Sequence, residues 1–150
     1  MKVKMILLGL AVFVTTGVGY SAVSEPVLGI WKTEAEKSHV EIFKSGGKLC
    51  GKIVWLKEPA YTDSKEGPVG AAKTDTNNPD PARRARPIVG LQIMEGFSAA
   101  EGDRWENGTI YDPESGKTYR CKMKLTAPGR LEVRGFVGVS LFGRTTVWTR

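Results

Sequence analysis

Short runs of Val, Ile, Tyr, Trp and Thr, cut at close intervals by turn clusters, leave this chain little to fold into except antiparallel β structure. Hardly any segment repeats its apolar residues at helical spacing. The candidate strands cover residues 27–33, 38–44, 48–56, 87–95, 104–111, 117–125, 130–136 and 144–150. Ser45-Gly-Gly47, Asp112-Pro-Glu-Ser-Gly116 and Ala127-Pro-Gly129 read as tight hairpin turns, because Gly and Pro supply the backbone angles a reversal needs. Eight strands in meander order predict an all-β fold, a small eight-stranded antiparallel up-and-down barrel, since closure removes the exposed edges. A two-sheet sandwich is the competing closure. One long loop, from Lys57 to Pro87 between strands three and four, exceeds anything a hairpin requires.

Strand alternation assigns the faces. Tyr119, Cys121, Met123 and Leu125 point one way, and Arg120, Lys122 and Lys124 the other. In the third strand Leu49, Gly51, Ile53 and Trp55 form the expected inner face, which leaves Cys50 outside. Cys50 and Cys121 could close one disulfide in an oxidising compartment. Their opposite parity argues against it unless a bulge intervenes. Trp55, Phe97, Tyr119 and Met123 either line a cavity or fill the barrel. Trp31 near one terminus and Trp148 with Arg150 at the other are expected to join the first and last strands, through an Arg stacked on a Trp.

Lys2 and Lys4 precede an apolar run from Met5 to Val18, too short for a membrane span of about 20 residues. The run reads as a signal peptide over residues 1–24, cut before Glu25, with cuts after Gly19 or Ala22 as alternatives. Residues 25–150 then form a single domain that is periplasmic or secreted and does not span the membrane. Removing Lys2 and Lys4 lowers the formal charge from +6 to +4. With no basic helix and no aromatic ladder, nucleic acid is not an expected partner. A mildly cationic surface suits anionic envelope polymers or lipids.

Familiar chemical motifs fail on inspection. Gly46-Gly-Lys-Leu-Cys-Gly-Lys52 begins like a phosphate loop, but strand follows where a helix N-terminus is needed. A calcium loop starting at Asp75 would place Arg86 where a bidentate carboxylate is required. His39 is the only histidine and lies on a polar strand face. No catalytic residue, metal ligand or cofactor is therefore assigned. Asp75, Asn78 and Asp80 read as structural groups of the loop, bonded to Arg83, Arg84 or Arg86 or capping turns at the prolines.

Much of the chain resembles the DUF2147 family of exported bacterial proteins. The matching pieces are Gly29-Ile-Trp31, Leu49-Cys-Gly-Lys-Ile-Val-Trp55, Asn78-Pro-Asp-Pro-Ala-Arg-Arg-Ala-Arg-Pro87, Gly90-Leu-Gln-Ile-Met-Glu-Gly-Phe97, Ile110-Tyr-Asp-Pro113 with Gly116-Lys-Thr-Tyr119, Val133-Arg-Gly135 and Gly143-Arg-Thr-Thr-Val-Trp-Thr-Arg150. The resemblance implies a lipocalin-like (calycin-type) barrel able to hold an apolar or amphipathic ligand. Trp55, Phe97, Tyr119 and Met123 are the expected apolar lining, and Arg83, Arg84 and Arg86 the expected contacts for an anionic head group. The partner is then a lipid or other small apolar molecule. A rival reading is a ligand-free protein that meets an envelope protein or polymer through the 57–87 loop. A third is an enzyme with Asp75, Asp80 and Asp112 converging in one cleft. If the leader is cut as read, protein recovered from the envelope has an intact mass that begins at Glu25. Retention of residues 1–24 would overturn the export reading.

Overall fold

A computed structural model of the chain describes residues 25–150; the leader read at residues 1–24 lies outside the described residues. The strands are β1 Gly29–Lys32, β2 Ser38–Ser45, β3 Lys48–Leu56, β4 Gln92–Ala100, β5 Arg104–Asp112, β6 Lys117–Ala127, β7 Arg130–Phe136 and β8 Arg144–Thr149. Each pairs antiparallel with the next, and β8 returns to β1 at Lys32 and Thr149, so the sheet is a closed eight-stranded barrel and not a sandwich. Three short 3₁₀ turns, Glu34–Glu36, Pro81–Arg83 and Ser140–Phe142, lie in the connections.

The fourth strand is displaced from its expected span of 87–95. Gly90 adopts φ 93°, a conformation open mainly to glycine, and the Leu91 N–H bonds back to the Ile88 carbonyl at 3.1 Å. The chain turns there, and the Gly90 N–H and Leu91 carbonyl bond to the Ile53 backbone. Regular pairing begins only at Gln92.

Successive connections of an up-and-down barrel alternate between its ends. Residues 33–37, 57–91, 113–116 and 137–143 therefore share one end, here called the loop end, while 46–47, 101–103 and 128–129 share the other. Contacts agree with this placement. Asn77 of the long loop donates to the Pro113 and Glu114 carbonyls, and Arg144 donates to Glu34 at 3.1 Å. At the far end the N-terminal segment and Arg150 form a seal. Trp31 is fully buried and its Nε1–H donates to the Val27 carbonyl at 2.8 Å. The Arg150 guanidinium lies 4.4 Å from the Trp31 ring centre and donates to the carbonyls of Leu28 and Pro26. With Arg150 itself exposed, a stack of this kind stabilises by about 0.5–1 kcal/mol.

Phe97, Trp105, Cys121, Met123, Leu131, Val133 and Trp148 pack the sealed half of the barrel, none more than 5% exposed. Trp148 faces in without burying an arginine. Arg144, on the same face by alternation, sits at the rim beside Glu34 with its side chain 82% exposed. Both cysteines are buried and carry free thiols. Burial pushes the Cys121 thiol up to about 12, which leaves little reactive thiolate at neutral pH.

The sealed half has no room to spare. A Cβ at Gly108 would lie 2.4 Å from the Phe97 ring. Gly108→Ala should therefore cost about 1–3 kcal/mol, the usual range for overpacking, as a lower urea midpoint. An unchanged midpoint would mean that Phe97 is not held against this backbone.

Candidate functional site

The long loop is ordered by one carboxylate. It doubles back through backbone bridges at Ala60–Ala72 and Thr74–Pro87, which brings Asp75 beside Arg86. Asp75 is fully buried. Its Oδ1 accepts the Tyr111 hydroxyl at 2.6 Å, and its Oδ2 accepts Asn78 Nδ2 at 2.7 Å and Arg86 Nη2 at 3.0 Å. Asn78 also donates to the Tyr111 oxygen and accepts the Asp80 N–H. A buried carboxylate needs this density of donors to offset its lost hydration. Burial, followed by the hydrogen bond and charge of Asp75, pushes the Tyr111 hydroxyl up to about 12.

The neighbouring charges serve the same loop. Asp80 caps the Pro81–Arg83 turn by accepting the Ala82 N–H, and pairs with Arg83 at 3.2 Å. Arg84 Nε donates to the Asn78 carbonyl. Arg83 and Arg84 are thus bonded within the loop instead of presenting a joint anion site at the barrel mouth. Arg86 is tied to Asp75 on one side, but its buried Nε–H has no partner. It borders a surface depression of about 340 Å³ with Val89, Leu91 and Gln92. A second depression, about 210 Å³, lies on the outer wall among Arg104, Lys122, Lys124 and Arg134, with Glu106 and Glu132 between them.

The apolar residues expected to line a ligand cavity are not brought together. Trp55 lies outside the barrel. The β2–β3 register shifts so that Val40 faces Ile53 while His39 faces Trp55, leaving Val54 as the extra residue and turning Trp55 to the outer face. There it is 42% exposed and its ring centre lies 4.4 Å from that of His39. Phe97 and Met123 are buried in the sealed half, 1% and 2% exposed. Tyr119 alone of the four faces inward with part of its surface open. It pairs with Ile110, which in turn pairs with Met94, and Gly135 occupies the adjacent rung opposite Cys121. Ile110, Tyr119 and Gly135 are all partly exposed. A Cβ added at Gly135 would meet Ile110 and Tyr119 only at ordinary contact, 3.7 Å. The inner wall therefore changes along the barrel axis, filled towards the seal and partly open towards the loop end. Gly135 and Ile110 escaped the sequence reading of the cavity; their inward parity was the available signal, but a glycine offers no apolar side chain to mark it.

The carboxylates of the enzyme reading do not converge. Asp80 caps its own turn, Asp112 accepts the Glu114 N–H and the Ser115 hydroxyl, and Asp75 is enclosed. Among the described residues no three His, Cys, Asp or Glu side chains group as metal ligands, and no helix is long and apolar enough to cross a membrane.

Residues 29–150 match the model of a family described as uncharacterized protein conserved in bacteria, DUF2147. The chain is also similar to a solved structure, protein HP1028 from the human pathogen Helicobacter pylori, described as belonging to the lipocalin family. The two superpose with a TM-score of 0.69 at 25% identity, over 82% of this chain and 81% of that one. A search of the curated proteins finds no match.

The Asp75 cluster yields two expectations. Asp75→Ala strands Arg86 and Tyr111 and should cost about 3 kcal/mol, the low end for a broken buried pair because Arg86 retains contact with water. A loss below about 1 kcal/mol in urea unfolding, typical of an exposed pair, would show that the loop does not depend on the carboxylate. The Tyr111 hydroxyl is raised from its ordinary 10.0 to about 12. Its neutral form is thus favoured by folding, so its contribution is complete below the unfolded value and lost as pH climbs through the folded one. Wild type should lose more stability than Tyr111→Phe between pH 10 and about 12; parallel pH curves would contradict the shift.

Proposed function

The chain belongs to the DUF2147 family, and on that premise we propose that it is an exported, lipocalin-like binding protein that takes a small amphipathic molecule at the loop end of its barrel. The observation that carries the reading is the uneven interior, filled beside Trp105 and Trp148 but partly open at Ile110, Tyr119 and Gly135. A barrel of eight strands has room for side chains or for one small ligand, and here side chains take only the sealed half completely. The ligand's apolar part rests against Ile110 and Tyr119. Met94, just below, is unbranched and polarisable, so it adapts to ligands of differing shape. Arg86, whose side chain is 42% exposed beside the depression at Val89 and Gln92, suits an anionic head group. The setting is the bacterial envelope, after removal of residues 1–24. The lipocalin description of the Helicobacter pylori protein supports the same reading.

The test is to extract protein purified from the envelope with organic solvent and analyse the extract by mass spectrometry, for wild type and Gly135→Leu. A Cβ at Gly135 meets only the Ile110 and Tyr119 side chains at ordinary contact, so a longer side chain should crowd this rung. Wild type should release a stoichiometric amphiphile that the variant has lost. An empty wild type that also fails to bind a fluorescent fatty-acid analogue saturably would end the proposal. Equal ligand in both proteins would move the site away from this rung.

A further inference from the structure

Residues 117–149, which make up β6, β7, β8 and their connections, carry seven basic side chains and one acidic one. The segment's net charge of +6 equals that of the whole 150-residue chain, so the positive excess lies in these three strands and their connections. Arg120, Lys122, Lys124 and Arg134 all lie on the outer face by alternation, and Lys122 stands directly opposite Arg134 across the β6–β7 pair. Like charges at that spacing repel, so both need another use. Both hold the β7–β8 loop. Lys122 Nζ donates to Ser140 Oγ at 3.0 Å, while Arg134 donates to the carbonyls of Ser140 and Leu141 at 2.8 and 3.1 Å.

The loop that these cations secure presents its apolar side chains to water. Val137, Val139, Leu141 and Phe142 are 71%, 60%, 79% and 79% exposed. Four large apolar groups within six residues form a patch of the sort that marks an interaction site. Arg144 follows immediately, paired only with the exposed Glu34. We infer that the β7–β8 loop and the basic wall beneath it dock the barrel on a lipid surface carrying anionic head groups, with Leu141 and Phe142 entering the acyl boundary and Arg120, Lys124 and Arg144 facing the phosphates. Charge decides this occupant. A second copy of the chain would bring an equally basic wall against this one, whereas an anionic bilayer offers negative charge and apolar depth together. The docking is separate from ligand binding inside the barrel and does not require it.

The test is co-sedimentation of the full chain with vesicles of equimolar phosphatidylglycerol and phosphatidylcholine, and with phosphatidylcholine alone. Any retained apolar leader would bind in every form, so the readout is the difference between wild type and variants. The double variant Leu141→Asp, Phe142→Asp changes only exposed positions and should weaken binding to anionic vesicles by about tenfold or more. Arg120→Gln with Lys124→Gln should weaken it by about 25-fold and flatten its salt dependence, each basic residue near the surface adding roughly a fivefold factor. No vesicle binding, or binding of wild type and both variants alike, would overturn the inference. So would a concentration-dependent dimer, seen by sedimentation velocity, that the Leu141→Asp, Phe142→Asp protein cannot form.

Discussion

A carboxylate with no exposure to water must be surrounded by donors, and Asp75 is where this structure meets that demand. Its partners come from three places: Asn78 three residues on, Arg86 at the return of the loop, and Tyr111 on β5. A single side chain thereby fastens the two arms of the loop to each other and both of them to the barrel. Pro81 and the Asp80 cap stiffen the segment between. The long loop takes its form from this cluster, while the turn at Gly90 that sets the start of β4 is held by Ile53 and Ile88.

The other end is closed by different means. Trp31 supplies an apolar plug with one polar handle, and Arg150 covers it while satisfying two carbonyls of the N-terminal segment. One terminus caps the other, so closure of the barrel and sealing of its base are the same event. With that base sealed, access to the interior must come from the loop end. There the lining changes from fully buried side chains to the partly exposed Ile110, Tyr119 and Gly135. The proposed ligand site and the proposed docking loop would thus share an end. A molecule passing between a bilayer and the barrel would have a short path.

Much of the architecture was legible from the residues. Eight runs with hairpin turns between them allowed few closures, and the barrel is the one found. The inward faces of β6 and β7 followed from strict alternation. The sites were less legible. Trp55 fits the inner face by counting from Leu49, yet one extra residue at Val54 reverses it, and nothing in Ile53-Val-Trp55 announces a bulge. The fourth strand was set too early because Ile88 and Leu91 are buried like strand residues although they belong to a turn. That the loop's arginines would bond its polar groups was legible, but not which bonds which, since Arg84 meets a backbone carbonyl and Arg86 a carboxylate eleven residues away.

The sequence by itself determined the strand count, the meander order, the faces where alternation is unbroken, and the segment that would form the long loop. These follow from local chemistry: β-branched residues, glycine turns and a period of two are written along the chain. The tertiary structure alone decided that Asp75 would be enclosed, that the interior would fill at one half only, and that Val137 to Phe142 would face water above a basic wall. Each of these depends on register between distant strands. A shift of one residue turns every side chain beyond it to the opposite face.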